Sequence, residues 1–477
     1  MFELPVASPE SVGIGSEQIE NMIRRLGRNQ IPMHSLLLMR RGKLVYEGYY
    51  RPYHREKLHR MFSVSKSMVS LGIGCLITRG ELHPNDKIVD LFPEKCPADV
   101  HPYLAEMTLQ NMLEMRTCYS KTTYKLGLTD DWVESFFITP PDHPPGTIFH
   151  YDTSSSHVLC ALIEKLTGVP FWDFMKSTVF QGLDLSMDSY MLADPCGVSM
   201  GGAGLMCTPM DLMKIGYFLS CKGTIFGEKR ISEKYIDQAL SFISPTVMKA
   251  PLPSEACGYG MQFWRTERGG NVCYGRGGQL LIMQPEADLI CVTTADTQGL
   301  SGGNQFIYNA FFEEILDQLS DEKKEESSVQ ASLAGLTASL TIAPVGGTYR
   351  TPMQHQVNGK VYEMEENSIH VRKMSVSFDE SGGCLSFRVD GDTWAIPFGF
   401  GGCQEITFPI YQMCAASSGA WISEDCLYIR CYLCDTSVGS VHFQLHFSGN
   451  RVVIYMKKTE ESLFNEFSPK HLIGYRL

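Results

Sequence analysis

The sequence predicts an α+β fold: an antiparallel sheet flanked by helices and interrupted by a helical insertion, followed by a separate all-β barrel. Three observations carry that expectation. Strand-like runs occur before residue 50 and again after residue 260, while between about 107 and 241 the apolar spacing is mainly helical. Residues 320–328, Ser-Asp-Glu-Lys-Lys-Glu-Glu-Ser-Ser, form a charged break. Beyond about Gly346 helical periodicity disappears, and short alternating strands recur between turn residues. The expected units are 1–319, with its insertion at about 80–250, a linker over 320–345, and a β unit over 346–477.

Taken in order, residues 16–26 place Ile19, Met22, Ile23 and Leu26 on one side of a helix. Residues 35–39 and 44–50 flank Arg40-Arg41-Gly42-Lys43, which reads as a hairpin. An apolar run through Leu71, Ile73, Cys75, Leu76 and Ile77 has too few polar positions for a surface helix and predicts a buried one, ending near Arg79-Gly80. In the insertion, helical spacing covers 109–115, 132–137, 154–166, 171–180 and 209–219. Pro140-Pro141, Pro144-Pro145-Gly146 and Gly201-Gly202-Ala203-Gly204 break it. Strand signals return at 260–265, 272–274, 279–283 and 289–294, before a helix carrying Phe306, Ile307, Phe311 and Ile315. In the tail, strands are expected at 369–371, 384–389, 427–433, 442–447 and 452–456.

Composition narrows the function classes. The 477 residues carry a net charge of −12, with no long Lys/Arg cluster, which argues against nucleic acid and anionic membranes as partners. No apolar stretch approaches the roughly 18 residues of a membrane span, and Met1-Phe2-Glu3-Leu4-Pro5 lacks the features of a signal peptide. A cytoplasmic location is therefore expected, with the 16 cysteines as reduced, mostly buried thiols. Cys431 and Cys434 lie three apart in a strand-like run and should face opposite sides, so no shared metal is expected. No zinc or phosphate-loop signature occurs, and neither metal nor cofactor is expected.

The chemistry centres on Phe62-Ser63-Val64-Ser65-Lys66, which opens the buried helix. Ser63 and Lys66 share one face of its first turn, so the amine could accept the hydroxyl proton. The helix N-terminus disfavours an ammonium and favours a developing oxyanion. The bland alternative is Ser63 as a helix cap with a solvated lysine. Ser320-Asp321-Glu322-Lys323 matches the same Ser-x-x-Lys pattern in a polar tract with no core to bury it. Tyr151, in Pro145-Gly146-Thr147-Ile148-Phe149-His150-Tyr151-Asp152-Thr153, feeds directly into a helix. It would be a base if a neighbouring cation favoured tyrosinate, or else an ordinary half-buried ring. His150 and His157 lie near it, more simply structural than ligating. Tyr274-Gly275-Arg276-Gly277-Gly278-Gln279 enters a strand; its glycines fit either close approach by another backbone or a ligand, or a plain hairpin turn, and an exposed amide there would suit an oxyanion hole. Gly299-Leu300-Ser301-Gly302-Gly303 fits a nucleophile elbow, but residues 296–298 separate it from the strand.

These three segments, in this order, resemble the serine β-lactamase-like superfamily: class C β-lactamases, D,D-peptidases and related esterases and amide hydrolases. Phe62-Ser63-Val64-Ser65-Lys66 matches its Ser-x-x-Lys element, and Tyr151-Asp152-Thr153 sits where that superfamily has Tyr-x-Asn. Arg276-Gly277-Gly278 sits where it has Lys-Thr-Gly or His-x-Gly. The resemblance, over roughly residues 9–319, implies a β-lactamase/transpeptidase-like fold and metal-free hydrolysis of an ester or amide through a Ser63 acyl-enzyme. Lys66 and Tyr151 would serve as general base and acid, and the amides of Ser63 and Gln279 as the oxyanion hole. Arg276, Gly277, Gly278 and Thr153 would contact a small-molecule or peptide substrate.

Thr153 in place of asparagine, and Arg276 in place of lysine or histidine, point away from efficient penicillin turnover and toward a substrate with a free carboxylate. The tail, with Gly347-Thr348-Tyr349-Arg350 and Gly419-Ala420-Trp421, resembles appended lipocalin-like barrels. The alternatives are a non-catalytic, penicillin-binding-like ligand sensor and a hydrolase built on Ser301. The sequence fixes no oligomeric state.

Overall fold

The computed structural model describes residues 2–250, 252–324, 329–460 and 463–477. Its first sheet has six strands: β1 (Met33–Arg40), β2 (Lys43–Tyr49), β3 (Trp264–Arg265), β4 (Asn271–Gly275), β5 (Gln279–Gln284) and β6 (Leu289–Ala295). Their order is β2-β1-β6-β5-β4-β3. All pairings are antiparallel, and Met33 lies opposite Ala295, so strands from both ends of the first unit meet at the centre as expected.

Both faces of the sheet are covered, because successive strand side chains alternate between two cores. Leu37, Met39, Leu281 and Met283 pack with the insertion. Leu36, Leu38, Leu280 and Ile282 pack with helices α1 (Ser16–Arg28) and α5 (Gly303–Glu314). Helix α2 (Val64–Thr78) runs through the first core, buried from Val64 to Leu76, which explains its lack of a polar face. Helices α3 (Thr153–Thr167) and α4 (Pro209–Ser220) flank it.

Two expectations in this unit change. Residues 260–263 do not extend a strand: Gln262 adopts φ 68° while its side-chain amide donates to the carbonyls of Met112 (3.0 Å) and Leu113 (3.1 Å). Satisfying those buried carbonyls outweighs ladder pairing. Part of the expected linker, residues 325–328, lies outside the described residues. Its remainder is not featureless, since residues Val329–Ser339 form a helix, α6, whose Leu333 is buried in the core shared with α1.

The β unit is a closed barrel of nine strands. In chain order they are β7 (Val361–Met364), β8 (Val371–Phe378), β9 (Gly382–Val389), β10 (Asp392–Gly399), β12 (Met413–Trp421), β13 (Cys426–Cys434), β14 (Val438–Ser448), β15 (Arg451–Lys458) and β16 (Lys470–Arg476). The short β11 (Gln404–Phe408) pairs outside the ring with β12. A short helix, Pro352–Val357, precedes it, so helical structure does not vanish entirely beyond residue 346. Ile429, Cys431, Phe443 and Ile454 point inward, whereas Tyr432 and Cys434 pack against the first unit. Cys431 and Cys434 thus face opposite sides of their strand.

Candidate active site

Ser63 stands at the N-terminal end of α2, but its side chain does not cap the helix. Lys66 Nζ donates to Ser63 Oγ at 3.0 Å and to the Gly202 carbonyl at 2.6 Å, and the lysine is 1% exposed. Its partners are therefore the nucleophile candidate and a backbone oxygen rather than bulk water. The segment ahead of Ser63 is held from both sides: Met61 N–H donates to Leu205 O (2.8 Å), Leu205 N–H donates to Ser65 Oγ (3.0 Å), and Ser65 Oγ donates to Phe62 O (2.6 Å). These bonds hold Phe62 at φ 46°, a left-handed conformation that costs about 1–3 kcal/mol and aims the next residue.

Gly202 fits because it has no side chain. A Cβ there would strike Thr153 Cγ2, so the glycine run that reads as a helix breaker instead brings the Gly202 carbonyl close to Lys66. Thr153 starts α3, capped by Asp152, whose carboxylate accepts from the N–H groups of Ser154 (2.9 Å) and Ser155 (3.2 Å). That cap fixes Tyr151 over the site, with Lys66 Nζ 4.9 Å from its ring centroid and Ser63 interacting with its hydroxyl. Burial pushes the Tyr151 pKa well above its usual range. Desolvation of the phenol favours its protonated form and works against the tyrosinate that a neighbouring cation would favour.

Arg276-Gly277-Gly278 is indeed a hairpin turn joining β4 to β5, with φ 85° and 96° at the two glycines, and it also borders the Ser63 cleft. The Gln279 side chain braces it, donating to Arg276 O (2.6 Å) and Ala295 O (3.0 Å) and accepting from Ala295 N–H (2.9 Å). Gly275 lets this hairpin press against the Met61 carbonyl, where any Cβ would collide.

The cleft measures about 680 Å³. Besides Ser63, Tyr151, Thr153 and Arg276 it is lined by Tyr124, Lys125 and Trp132, whose positions sequence reasoning left open, and by Arg60. Tyr124 and Trp132 stack at 4.0 Å as one aromatic wall, and His157, bonded to Asp194 at 3.0 Å, packs edge-on behind Trp132. His150 lies beside His143. Among the described residues lining the cleft none is acidic. The barrel reaches both lips: Arg60 donates to Thr436 O (3.2 Å), and Gln298 donates to Val438 O (2.7 Å). Gln298 follows Thr297, whose N–H donates to Gly277 O at 3.0 Å. Ser301, by contrast, is exposed in the turn before α5 and makes no hydrogen bond among the described residues.

Glu255, which the sequence did not flag, is buried behind the tyrosines. Burial pushes its carboxyl up to about 7, and its Oε1 has no hydrogen-bond partner. Its charge bears on Tyr151 and Tyr274. Because the folded-state value lies above the ordinary 4.5, the fold retains a proton that the unfolded chain releases. This group therefore withdraws about 3 kcal/mol of stability as pH rises from about 4.5 to 7 and no more above that. Thermal unfolding followed across that range should show this slope in the wild type and its loss in Glu255→Gln.

A family model described as Beta-lactamase matches residues 19–306. The 6-aminohexanoate-dimer hydrolase of Paenarthrobacter ureafaciens is 25% identical over 278 residues, covering 54% of this chain and 70% of that protein. Among solved structures, the octameric penicillin-binding protein homologue from Pyrococcus abyssi matches with TM-score 0.50 and 16% identity, covering 96% of this chain and 99% of its own. A penicillin-binding protein homologue from Caulobacter crescentus matches with TM-score 0.51 and 13% identity over 66% of this chain and all of its own (100%). The fold is thus β-lactamase/transpeptidase-like, with the barrel appended. The chain belongs to the Beta-lactamase family, and it is a serine hydrolase of the β-lactamase-related kind. Among the described residues no helix is long and apolar enough to cross a membrane.

Proposed function

We propose that the chain hydrolyses an amide or ester through acylation of Ser63. The observation that carries this reading is the 3.0 Å bond between Lys66 Nζ and Ser63 Oγ at the floor of the cleft. Burial and the N-terminal end of α2 both disfavour a permanent ammonium, so Lys66 as the neutral amine takes the Ser63 proton while Oγ bonds to the substrate carbonyl carbon. The amides of Ser63 and Gln279 receive the oxyanion. One such donor is worth about 3 kcal/mol in the transition state. Tyr151, which holds its proton, passes it to the departing amine or alkoxide as the acyl bond to the leaving group breaks, and water then releases the acid from Ser63.

The substrate class follows from the lining: Arg60, Lys125 and Arg276 without a lining carboxylate, in a chain of net charge −12, favour an anionic substrate. An amide carrying a carboxylate fits, and the name of the 6-aminohexanoate-dimer hydrolase points to amide cleavage. Ser63 labelling by a fluorophosphonate, located by mass spectrometry, tests the nucleophile; a label elsewhere that survives Ser63→Ala sinks it. Arg276→Ala should raise KM about tenfold or more for a carboxylate-bearing ester and leave a neutral ester within about twofold. Equal effects on both esters would remove Arg276 from carboxylate recognition.

A further inference from the structure

A second crevice, of about 350 Å³, lies where the outer wall of the barrel meets Pro32 and residues 296–300 of the hydrolytic unit. The register of three barrel strands arranges its wall as a grid. Arg430, His442 and Lys457 stand directly opposite one another on β13, β14 and β15. Tyr428, Gln444 and Tyr455 form the row on one side, and Tyr432 and Ser440 begin the row on the other. The two permanently charged members of that row, Arg430 and Lys457, flank His442 and put two cations on one face of the wall.

The barrel supplies little relief. His442 is kept uncharged: burial lowers its pKa to about 4, with Arg430 and Lys457 acting in the same direction, and its nitrogens meet the hydroxyls of Tyr428 (2.5 Å) and Ser440 (2.9 Å). Two permanent cations remain. Arg430 donates to Ala343 O at 2.9 Å and lies 4.5 Å from the Tyr432 ring centroid, yet its buried Nε has no hydrogen-bond partner. The one acid in the lining is Asp296, which comes from the hydrolytic unit and already accepts from Gln298 (3.1 Å). The crevice therefore keeps an excess of positive charge, walled by tyrosine rings and by the apolar Pro32 and Leu300.

From Arg430 and Lys457 on one face of the wall and the tyrosine rings beside them, we infer that this junction crevice binds a small organic carboxylate. The carboxylate neutralises the basic row, and the aromatic and apolar walls hold its carbon skeleton. An inorganic anion would use the charges but leave those walls unoccupied.

The test is calorimetric titration of the full chain with benzoate, in parallel with inorganic phosphate, because the Ser63 cleft also carries cations. Saturable benzoate binding is expected. It should weaken about tenfold in Lys457→Met and in Arg430→Gln and persist in Arg276→Ala. Lys457→Met should leave ester hydrolysis unchanged, separating this site from the catalytic one. Binding lost in Arg276→Ala but kept in Lys457→Met would place benzoate in the Ser63 cleft and overturn the inference. So would the absence of saturable benzoate binding, or saturation by phosphate alone.

Discussion

Ser63→Ala should lower kcat for an activated ester by at least about 10⁴-fold while leaving the fold intact. The variant removes the oxygen proposed to attack, and neither neighbour is placed to replace it: Lys66 donates to Ser63 and to the Gly202 carbonyl, and burial favours the protonated form of the Tyr151 phenol. Stability should change little, because Ser63 Oγ caps no helix and its hydroxyl contacts lie within the site. Steady-state kinetics, with circular dichroism as the fold control, checks both halves of this expectation. Ser301→Ala, in the exposed turn before α5, should keep wild-type turnover and labelling. The reverse pattern would move the nucleophile to the Gly299-Leu300-Ser301-Gly302-Gly303 turn.

Gly275→Ala should cost about 100-fold in the rate of Ser63 labelling, with secondary structure unchanged. A Cβ at 275 meets the carbonyl oxygen of Met61, a backbone atom that cannot swing aside. Met61 is also bonded to Leu205 and stands two residues before Ser63, so either β4 retreats or the nucleophile's segment does. Retreat of β4 carries the Arg276-Gly277-Gly278 turn and Gln279 away from Ser63, and retreat of the segment breaks the match between Ser63 and Lys66. Both displacements are of the ångström scale that separates aligned from misaligned reacting groups. Labelling kinetics within about threefold of wild type would show that the hairpin does not set the geometry of Ser63.

The parts of this architecture legible in the sequence are those whose physics is local. The buried α2 announces itself by lacking a polar face, and the β1–β2 hairpin by Arg41-Gly42 between two apolar runs. Lys66 and Tyr151 reach Ser63 because a first-turn spacing and a helix-capping Asp152 are short-range constraints. What stayed hidden depends on partners distant in sequence. Gly202 reads as a breaker until Thr153 is seen beside it, and Gly275 signals close approach by a backbone or a ligand without revealing that the partner is Met61. Strand β12 is written largely in small residues, Met-Cys-Ala-Ala-Ser-Ser-Gly-Ala-Trp, which show no alternation. Their small size suits them to lie under neighbours such as Phe398, which a Cβ at Gly419 would strike. The burial of Tyr151 was not legible either, because proximity of a cation is visible in spacing, whereas loss of solvent is not.

The contact between Thr436 and Arg60 has an evolutionary consequence. Residues 435–437 join two strands of a barrel that carries none of the proposed acyl-transfer groups, so they can vary in length and chemistry without touching Ser63, Lys66 or Tyr151. Arg60 borders the cleft and lies three positions before Ser63, so drift in that remote loop passes directly into the shape and charge of the substrate's surroundings. Appending a barrel thus provides a place where the surroundings of the cleft can change while Ser63, Lys66 and Tyr151 are left untouched.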